Sequence, residues 1–338
     1  MNDLSFLDKI TGQRILVAPL HWGLGHATRC IPIIKKLSKN NAILLGSDGL
    51  ALDLLKREFP HMSYVKLPSY NIHYKSDHFL LGLVKQGPKL TLAVSKEMAM
   101  TEELVNRFGL TMIISDHRFG CRDIRIRSVI IAHQLQLQAG IKAAAFMGSK
   151  LNKFFINDFD ECWIPDYKVS ELSLSGVLSR SEGIKTVRYI GPISRLSKRV
   201  QPLKYDVAVI LSGPEPKRTW LETALNSVLK DSRYHIAWIR GTTAKVKTPP
   251  RYQEVIEIAT SDQISRIFNQ SKVVIARAGY TTVMDISHVG VPSILIPTKG
   301  QPEQEHLALH LEGRDGFDFI NEDQLSQLPI IISKILND

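Results

Sequence analysis

The chain has 338 residues, 44% hydrophobic and 22% charged, which suits two domains of about 150 residues and excludes a disordered or collagen-like polymer. Forty-three Lys and Arg against 33 Asp and Glu leave a formal charge of +10, so an anionic partner is expected: a phosphorylated small molecule, nucleic acid or an acidic membrane. No RNA-binding signature or zinc-finger spacing accompanies the charge, so nucleic acid is not among the expected partners.

The three cysteines, Cys30, Cys121 and Cys162, are far apart and odd in number, which gives neither a metal-ligand spacing nor a disulfide framework and points to a reducing compartment. The N-terminus lacks a basic leader followed by an apolar core. The longest apolar runs are strand-sized and fall well short of the roughly 20 residues that cross a bilayer. The expected location is cytoplasmic, with peripheral contact at the inner face of the membrane left open.

In chain order, short β-branched runs alternate with helix-length amphipathic stretches, the pattern of parallel sheets with crossover helices. The predicted strands of the first half are Arg14–Ala18, Ala42–Leu45, Ser63–Leu67, Met112–Ser115, Ser128–Ala132 and Glu161–Ile164. Those of the second half are Asp206–Leu211, His235–Arg240, Val255–Ile258, Lys272–Ala276 and Pro292–Pro297. A polar, basic stretch from Ile193 to Tyr205 separates them, and the expected domains are 1–197 and 198–338. The fold class is α/β, with two Rossmann-like doubly wound sheets. In such sheets ligands bind beyond the carboxyl ends of the strands, so the loops there should carry the chemistry.

After the first strand, Pro19–Arg29 reads PLHWGLGHATR and runs into a helix. Gly23 and Gly25 allow close backbone approach, and a helix N-terminus offers free N–H groups. The loop is neither the dinucleotide fingerprint nor a P-loop. His26, on the first helical turn, could take a proton from an acceptor hydroxyl or act as a polar cap. Asp116 after the fourth strand and His133 after the fifth share that sheet edge, and each could orient the acceptor, act as base or cap a turn. In the second half, Ser212 and Gly213 after one strand, and Arg277, Gly279, Thr281 and Thr282 after another, form two phosphate cradles. Asp285, one helical turn past Thr281, could accept from a ribose diol. Asp158-Phe159-Asp160 matches the Asp-x-Asp pattern of metal-using transferases, but it precedes its strand and reads as a solvated loop. No metal or cofactor is therefore expected. His73–Leu90, mixing Lys85, Lys89 and His78 with Phe79, Leu80, Leu81 and Leu83, reads as an ordinary helix or a membrane-docking patch.

The run from Arg277 through GYTTVMDISHVGVPSILIPTKGQPEQEHLA resembles the donor-binding signature of the glycosyltransferase family that contains the peptidoglycan N-acetylglucosaminyltransferase, family 28. The loop ending in Gly25-His26 and the segment Gly191–Arg195 are similar to the same family's N-terminal loop and interdomain segment. The resemblance implies GT-B architecture, in which two Rossmann-like domains face across a cleft. It implies a nucleotide-sugar donor, read here as a UDP-sugar, and in that family a lipid-linked acceptor. One base and a single in-line displacement would invert the anomeric centre, and helix N-termini with arginine can neutralise the diphosphate without a metal. Asp285 would then hold the ribose, where the family usually has Glu. Ser212, Gly213, Thr281, Thr282 and Arg195 would surround the diphosphate. The backbone at Ile258 would face the uracil, Gln304 with Glu303 would meet the sugar, and His26 would face the acceptor. A UDP-sugar hydrolase, an epimerase or a non-catalytic nucleotide-sugar binder on the same fold are the alternatives.

Overall fold

The alternating runs fold as two separate sheets, every strand parallel to its neighbours. The computed structural model describes residues 4–70, 87–138, 142–244 and 252–337. The chain divides into the units Met1–Ile193 and Ser194–Asp338.

The first unit has strands β1 (Arg14–Pro19), β2 (Ala42–Ser47), β3 (Ser63–Lys66), β4 (Met112–Asp116), β5 (Arg127–Ile131), β6 (Glu161–Ile164) and β7 (Val187–Tyr189), in the order β3-β2-β1-β4-β5-β6-β7. Its helices are α1 (Gly25–Leu37), α2 (Gly49–Glu58), α3 (Gly87–Phe108) and α4 (Lys142–Ile156). The strands are apolar on both faces because both are covered. Ile15 and Val17 of β1 pack with Ala27, Ile31 and Ile34 of α1, while Leu16 and Ala18 pack on the opposite face with Leu104 and Val105 of α3. Each Ile, Leu or Val among them, fully buried, contributes roughly 1.5–3 kcal/mol. Among the described residues no helix is long and apolar enough to cross a membrane. Most of His73–Leu90, the stretch weighed as a docking patch, lies outside the described residues.

The second unit has β8 (Tyr205–Ile210), β9 (Ile236–Ile239), β10 (Glu254–Ile256), β11 (Ser271–Ala276), β12 (Ser293–Leu295) and β13 (Phe317–Phe319), in the order β10-β9-β8-β11-β12-β13. Its helices are α5 (Lys217–Leu229), α6 (Ser261–Asn269), α7 (Tyr280–Val289), α8 (Pro302–Leu311) and α9 (Leu328–Asn337). Thr260 and Gln263 start α6 with a reciprocal capping box, and Gly290, at φ +76°, ends α7 in the left-handed region that glycine enters freely. Leu328 and Ile332 of α9 close the core over Val207, Val209 and Ile275.

Residues 194–205 are tied to this second unit. Ser194 Oγ donates to Asp285 Oδ1 at 2.6 Å, the Arg199 N–H donates to Asn269 Oδ1 at 2.7 Å, and Asn269 Nδ2 donates to the Ser197 carbonyl at 2.8 Å. In both sheets the connections reverse direction between two central neighbours, β1 and β4 in the first, β8 and β11 in the second. That reversal leaves a crevice at the carboxyl ends of those strands.

Candidate functional site

At the first crevice the register sets Pro19 beside Asp116, and Asp116 beside Ile131, so the ends of β1, β4 and β5 lie together. α1 begins five residues beyond β1 and carries His26 in its first turn. His26 Nδ1 lies 2.7 Å from Asp116 Oδ1. Asp116 is fully buried, the His26 side chain is 16% exposed, and His133 is buried beside them. The structure therefore brings the three proposed catalytic residues of the first unit to one place.

Between them stands Arg29, a buried side chain that the sequence reading passed over. Its Nε and Nη2 both donate to the Asp116 carboxylate. Its Nη1 lies 3.0 Å from His133 Nδ1, and its Nη2 lies 2.8 Å from His26 Nδ1. His117, also passed over, adopts φ +58°, rare for a side-chain-bearing residue and found at functional sites more often than elsewhere. Its ring sits edge-on to His26 with centroids 5.2 Å apart. A spacing of three from His26 puts Arg29 on the same helix face, a signal available from sequence.

Electrostatics follow from this packing. Burial lowers the pKa of His26 from its usual 6.5 to about 4; Asp116 opposes that shift and Arg29 adds to it. Burial works to raise the Asp116 carboxyl, but Arg29 and His26 outweigh it and hold the group well below the usual carboxylate range. The Cys30 thiol, 3.7 Å from Asp116 Oδ2, is pushed well up by burial and then by Asp116, so it stays protonated. A neutral His26 whose Nδ1–H hydrogen-bonds the ionised Asp116 carboxylate would have Nε2 left as an acceptor. His26, Asp116 and His117 each offer a ligand atom within 4.8 Å of the others. The Arg29 guanidinium already donates among those atoms and supplies the positive charge that a metal ion would bring.

A second buried guanidinium underpins the crevice. Arg118 Nε donates to the Pro19 carbonyl at 3.0 Å, and Nη1 donates to the Pro68 carbonyl at 3.0 Å and to Glu97 Oε1 at 2.6 Å. Nη2 donates to Asp48. Tyr70 Oη donates to the other Glu97 oxygen at 2.6 Å. One side chain thus fastens the loops after β1, β2 and β3 to α3.

Gly23, at φ +98°, and Gly25, the first residue of α1, form the turn that presents His26. Asp158 pairs with Arg122 at 2.8 Å and Asp160 accepts from the Ser128 N–H at 2.7 Å, both at the amino end of the sheet, away from the crevice.

The crevice of the second unit is built differently. Ser212 and Gly213 are exposed after β8, and Gly213 has φ +103°. After β11, Gly279 is the N-cap of α7 with no side-chain cap, and a methyl group placed on it would meet nothing within 4 Å. Thr281 and Thr282 follow, both half-buried. Ile258 is exposed beyond β10. The charged residues turn inward. Arg277 is buried, paired with Glu322 at 2.6 Å and facing the Ile296 and Pro297 carbonyls. Asp285 is buried, with Ser194 on one oxygen and Arg195 Nε 3.8 Å from the other. Burial raises its pKa, while Arg195 and Ser194 oppose the shift. Gln304 Oε1 accepts from the Thr298 N–H at 2.9 Å and its amide donates to Gln301, which closes the loop before α8; Glu303 lies half-buried in the first turn of that helix.

Residues 217–337 match the glycosyltransferase family 28 C-terminal domain. An uncharacterised glycosyltransferase of Methanosarcina mazei is 22% identical over 89% of this chain and 83% of its own length. The UDP-N-acetylglucosamine–N-acetylmuramyl-(pentapeptide) pyrophosphoryl-undecaprenol N-acetylglucosamine transferase of Halalkalibacterium halodurans is 23% identical over 89% of this chain and 84% of its own. Among solved structures, the kitacinnamycin glycosyltransferase superposes with a TM-score of 0.67 at 12% identity, covering 96% of this chain and 91% of that one. This chain is a GT-B glycosyltransferase with a family 28 C-terminal domain. A spinosyn rhamnosyltransferase complexed with thymidine diphosphate shares the fold at a TM-score of 0.63 and 11% identity, over 96% of this chain and 92% of that one. The glycosyltransferase assignment covers both units, since the relatives align along most of the chain.

Proposed function

We propose that this glycosyltransferase moves a sugar from a UDP-sugar, with UDP-N-acetylglucosamine the first candidate, to an acceptor hydroxyl, with inversion and without a metal ion. The observation that carries the reading is the contact of 2.7 Å between His26 Nδ1 and Asp116 at the first crevice. It orients a neutral imidazole whose Nε2 can take the acceptor's proton as the oxygen bonds to the anomeric carbon. The bond from that carbon to the diphosphate breaks, and the electron pair leaves with the phosphate oxygen. One base and a single in-line displacement give inversion.

In the second unit, the N-terminus of α7, with Gly279, Thr281 and Thr282, supplies partial positive charge for the departing diphosphate. Ser212, Gly213 and Arg195 complete that cradle in the proposal, and Arg277 supports the loop from within. The Ser194 hydroxyl on Asp285 is the kind of donor a ribose hydroxyl would be, so a ribose would take that place. The backbone at Ile258 meets the uracil, and Gln304 with Glu303 meets the sugar. A helix N-terminus serves a diphosphate without a divalent ion, which is the reason for expecting metal independence. The undecaprenol-linked acceptor in the name of the Halalkalibacterium relative makes a lipid-linked alcohol the first acceptor class to offer.

The test is calorimetry with UDP, GDP and ADP in EDTA, followed by transfer from UDP-N-acetylglucosamine to lipid-linked and free sugar acceptors. UDP is expected to bind alone among the three. His26→Ala is expected to keep that binding and to lose about 10²–10⁴-fold in transfer. Wild-type transfer by His26→Ala removes the base assignment, need for a divalent ion removes metal independence, and equal use of free sugars removes the lipid.

A further inference from the structure

We propose that Arg29 is the positioning residue of the transfer site: one guanidinium that fixes the carboxylate of Asp116 and the rings of His26 and His133 in the arrangement that frees His26 Nε2. The proposal rests on His26 as the base.

A buried arginine needs a counter-charge, and Asp116 alone provides it through two nearly parallel N–H···O bonds. An arginine retained only for packing would end there. Arg29 also brings its Nη groups against imidazoles: Nη1 lies 3.0 Å from His133 Nδ1, and Nη2 lies 2.8 Å from His26 Nδ1 and 3.3 Å from His117 Nδ1. In the proposal His133 Nδ1 accepts from the guanidinium and so carries no proton. At His26 the same cation competes with Asp116 for Nδ1. The carboxylate takes the proton because it is the charged acceptor, and Arg29 is already engaged by both carboxylate oxygens.

The titratable groups facing the guanidinium are His26 and Cys30 from α1, Asp116 and His117 at the end of β4, and His133 beyond β5. With His26 neutral and Cys30 a thiol, Arg29 and Asp116 are the paired charges at the centre of the cluster. Arg29 therefore leaves Asp116 no uncompensated charge with which to draw a second proton onto His26. Without the guanidinium, Asp116 and His26 together retain a proton as an ion pair, and the base is occupied at neutral pH. The ring then opens as a base only on the alkaline side.

The experiment is histidine NMR titration of wild type, Arg29→Met and Arg29→Lys, with His26→Gln to assign the ring. It is paired with UDP release from UDP-N-acetylglucosamine across pH and with UDP affinity. Arg29→Met is expected to raise the His26 titration by at least about one pH unit, a tenfold change in protonation, and to regain lost turnover at alkaline pH. Arg29→Lys keeps the charge but cannot span both carboxylate oxygens and both rings. It is expected to lower turnover about tenfold or more with UDP affinity unchanged, as for one misaligned group in a positioned site. If Arg29→Met fails to fold, the lysine variant alone decides. An unchanged His26 titration and pH profile in Arg29→Met, or wild-type turnover in Arg29→Lys, overturns the proposal. A His26→Gln variant with full turnover removes the base assignment beneath it, a distinguishable failure.

Discussion

The two crevices share a strand order and a point of reversal but place their charges in opposite ways. In the first unit Arg29, Asp116 and three imidazoles gather at the strand ends, pre-paired and largely shut off from water. In the second unit the charged side chains face inward, Arg277 to Glu322 and Arg240 with Arg218 to Glu222, and the strand ends present glycines, hydroxyls and a helix N-terminus without a side-chain cap. The contrast suits the roles proposed for the two crevices. Proton removal needs a group of defined tautomer, which fixed neighbours provide. Holding a diphosphate that must later leave suits backbone dipoles, which bind anions without a permanent ion pair.

Three perturbations sharpen that contrast. The largest effect is expected from Asp116→Asn, which takes the acceptor from His26 and the counter-charge from Arg29. Turnover should fall about a hundredfold or more, as a base with the wrong tautomer does. Stability to urea should fall by about 3–5 kcal/mol, the cost of stranding a buried charge. Normal stability in that variant would mean that Arg29 finds another partner and the cluster is looser than described.

Next is the pH dependence of stability. His26 has a folded pKa of about 4 against an ordinary 6.5, so the unfolded chain binds the proton first. Its contribution is present above pH 6.5 and is lost as pH falls toward 4, on the order of 3 kcal/mol in all. Urea midpoints of wild type and His26→Gln should differ most in their slopes across that interval; parallel curves would place the imidazole in solvent.

The smallest effect is expected in the second unit. Gly279 has ordinary backbone angles and room for a methyl group, so Gly279→Ala should leave the melting temperature within about a degree or two, as for a surface change. The same methyl group would stand where a diphosphate approaches the N–H groups of α7, so UDP affinity should drop about tenfold, the worth of roughly one lost hydrogen bond. Unchanged affinity would move the diphosphate off this helix.

The central strands were legible because burial on two faces demands uninterrupted apolar runs, and β1, β4, β8 and β11 all show them. The edge strands β7 and β13 went unread: each has three residues and a single neighbouring strand, too little for a pattern of its own. His26, Asp116 and His133 were readable from position alone, since ligands meet parallel sheets at the carboxyl ends. Arg29 is marked only by its spacing of three from His26; an arginine in the second turn of a helix ordinarily lies in water, and its burial depends on Asp116 and His133, distant in sequence. Arg277 and Asp285 show the converse. Their places after a strand and on the next helix were legible, while the inward turn of their side chains depends on Glu322, Ser194 and Arg195, distant in sequence.

The clamp at Arg118 bears on how such a site can change over evolutionary time. The stretch between Tyr70 and Glu97 is anchored at both ends to groups that this one guanidinium holds, directly or through Glu97. A substitution at either anchor therefore reaches the loops that Arg118 fastens and, through Arg118, the end of β4, whose last residue is Asp116. Chimeras between relatives would therefore have to exchange Arg118 and its partners as a set to keep the crevice in shape.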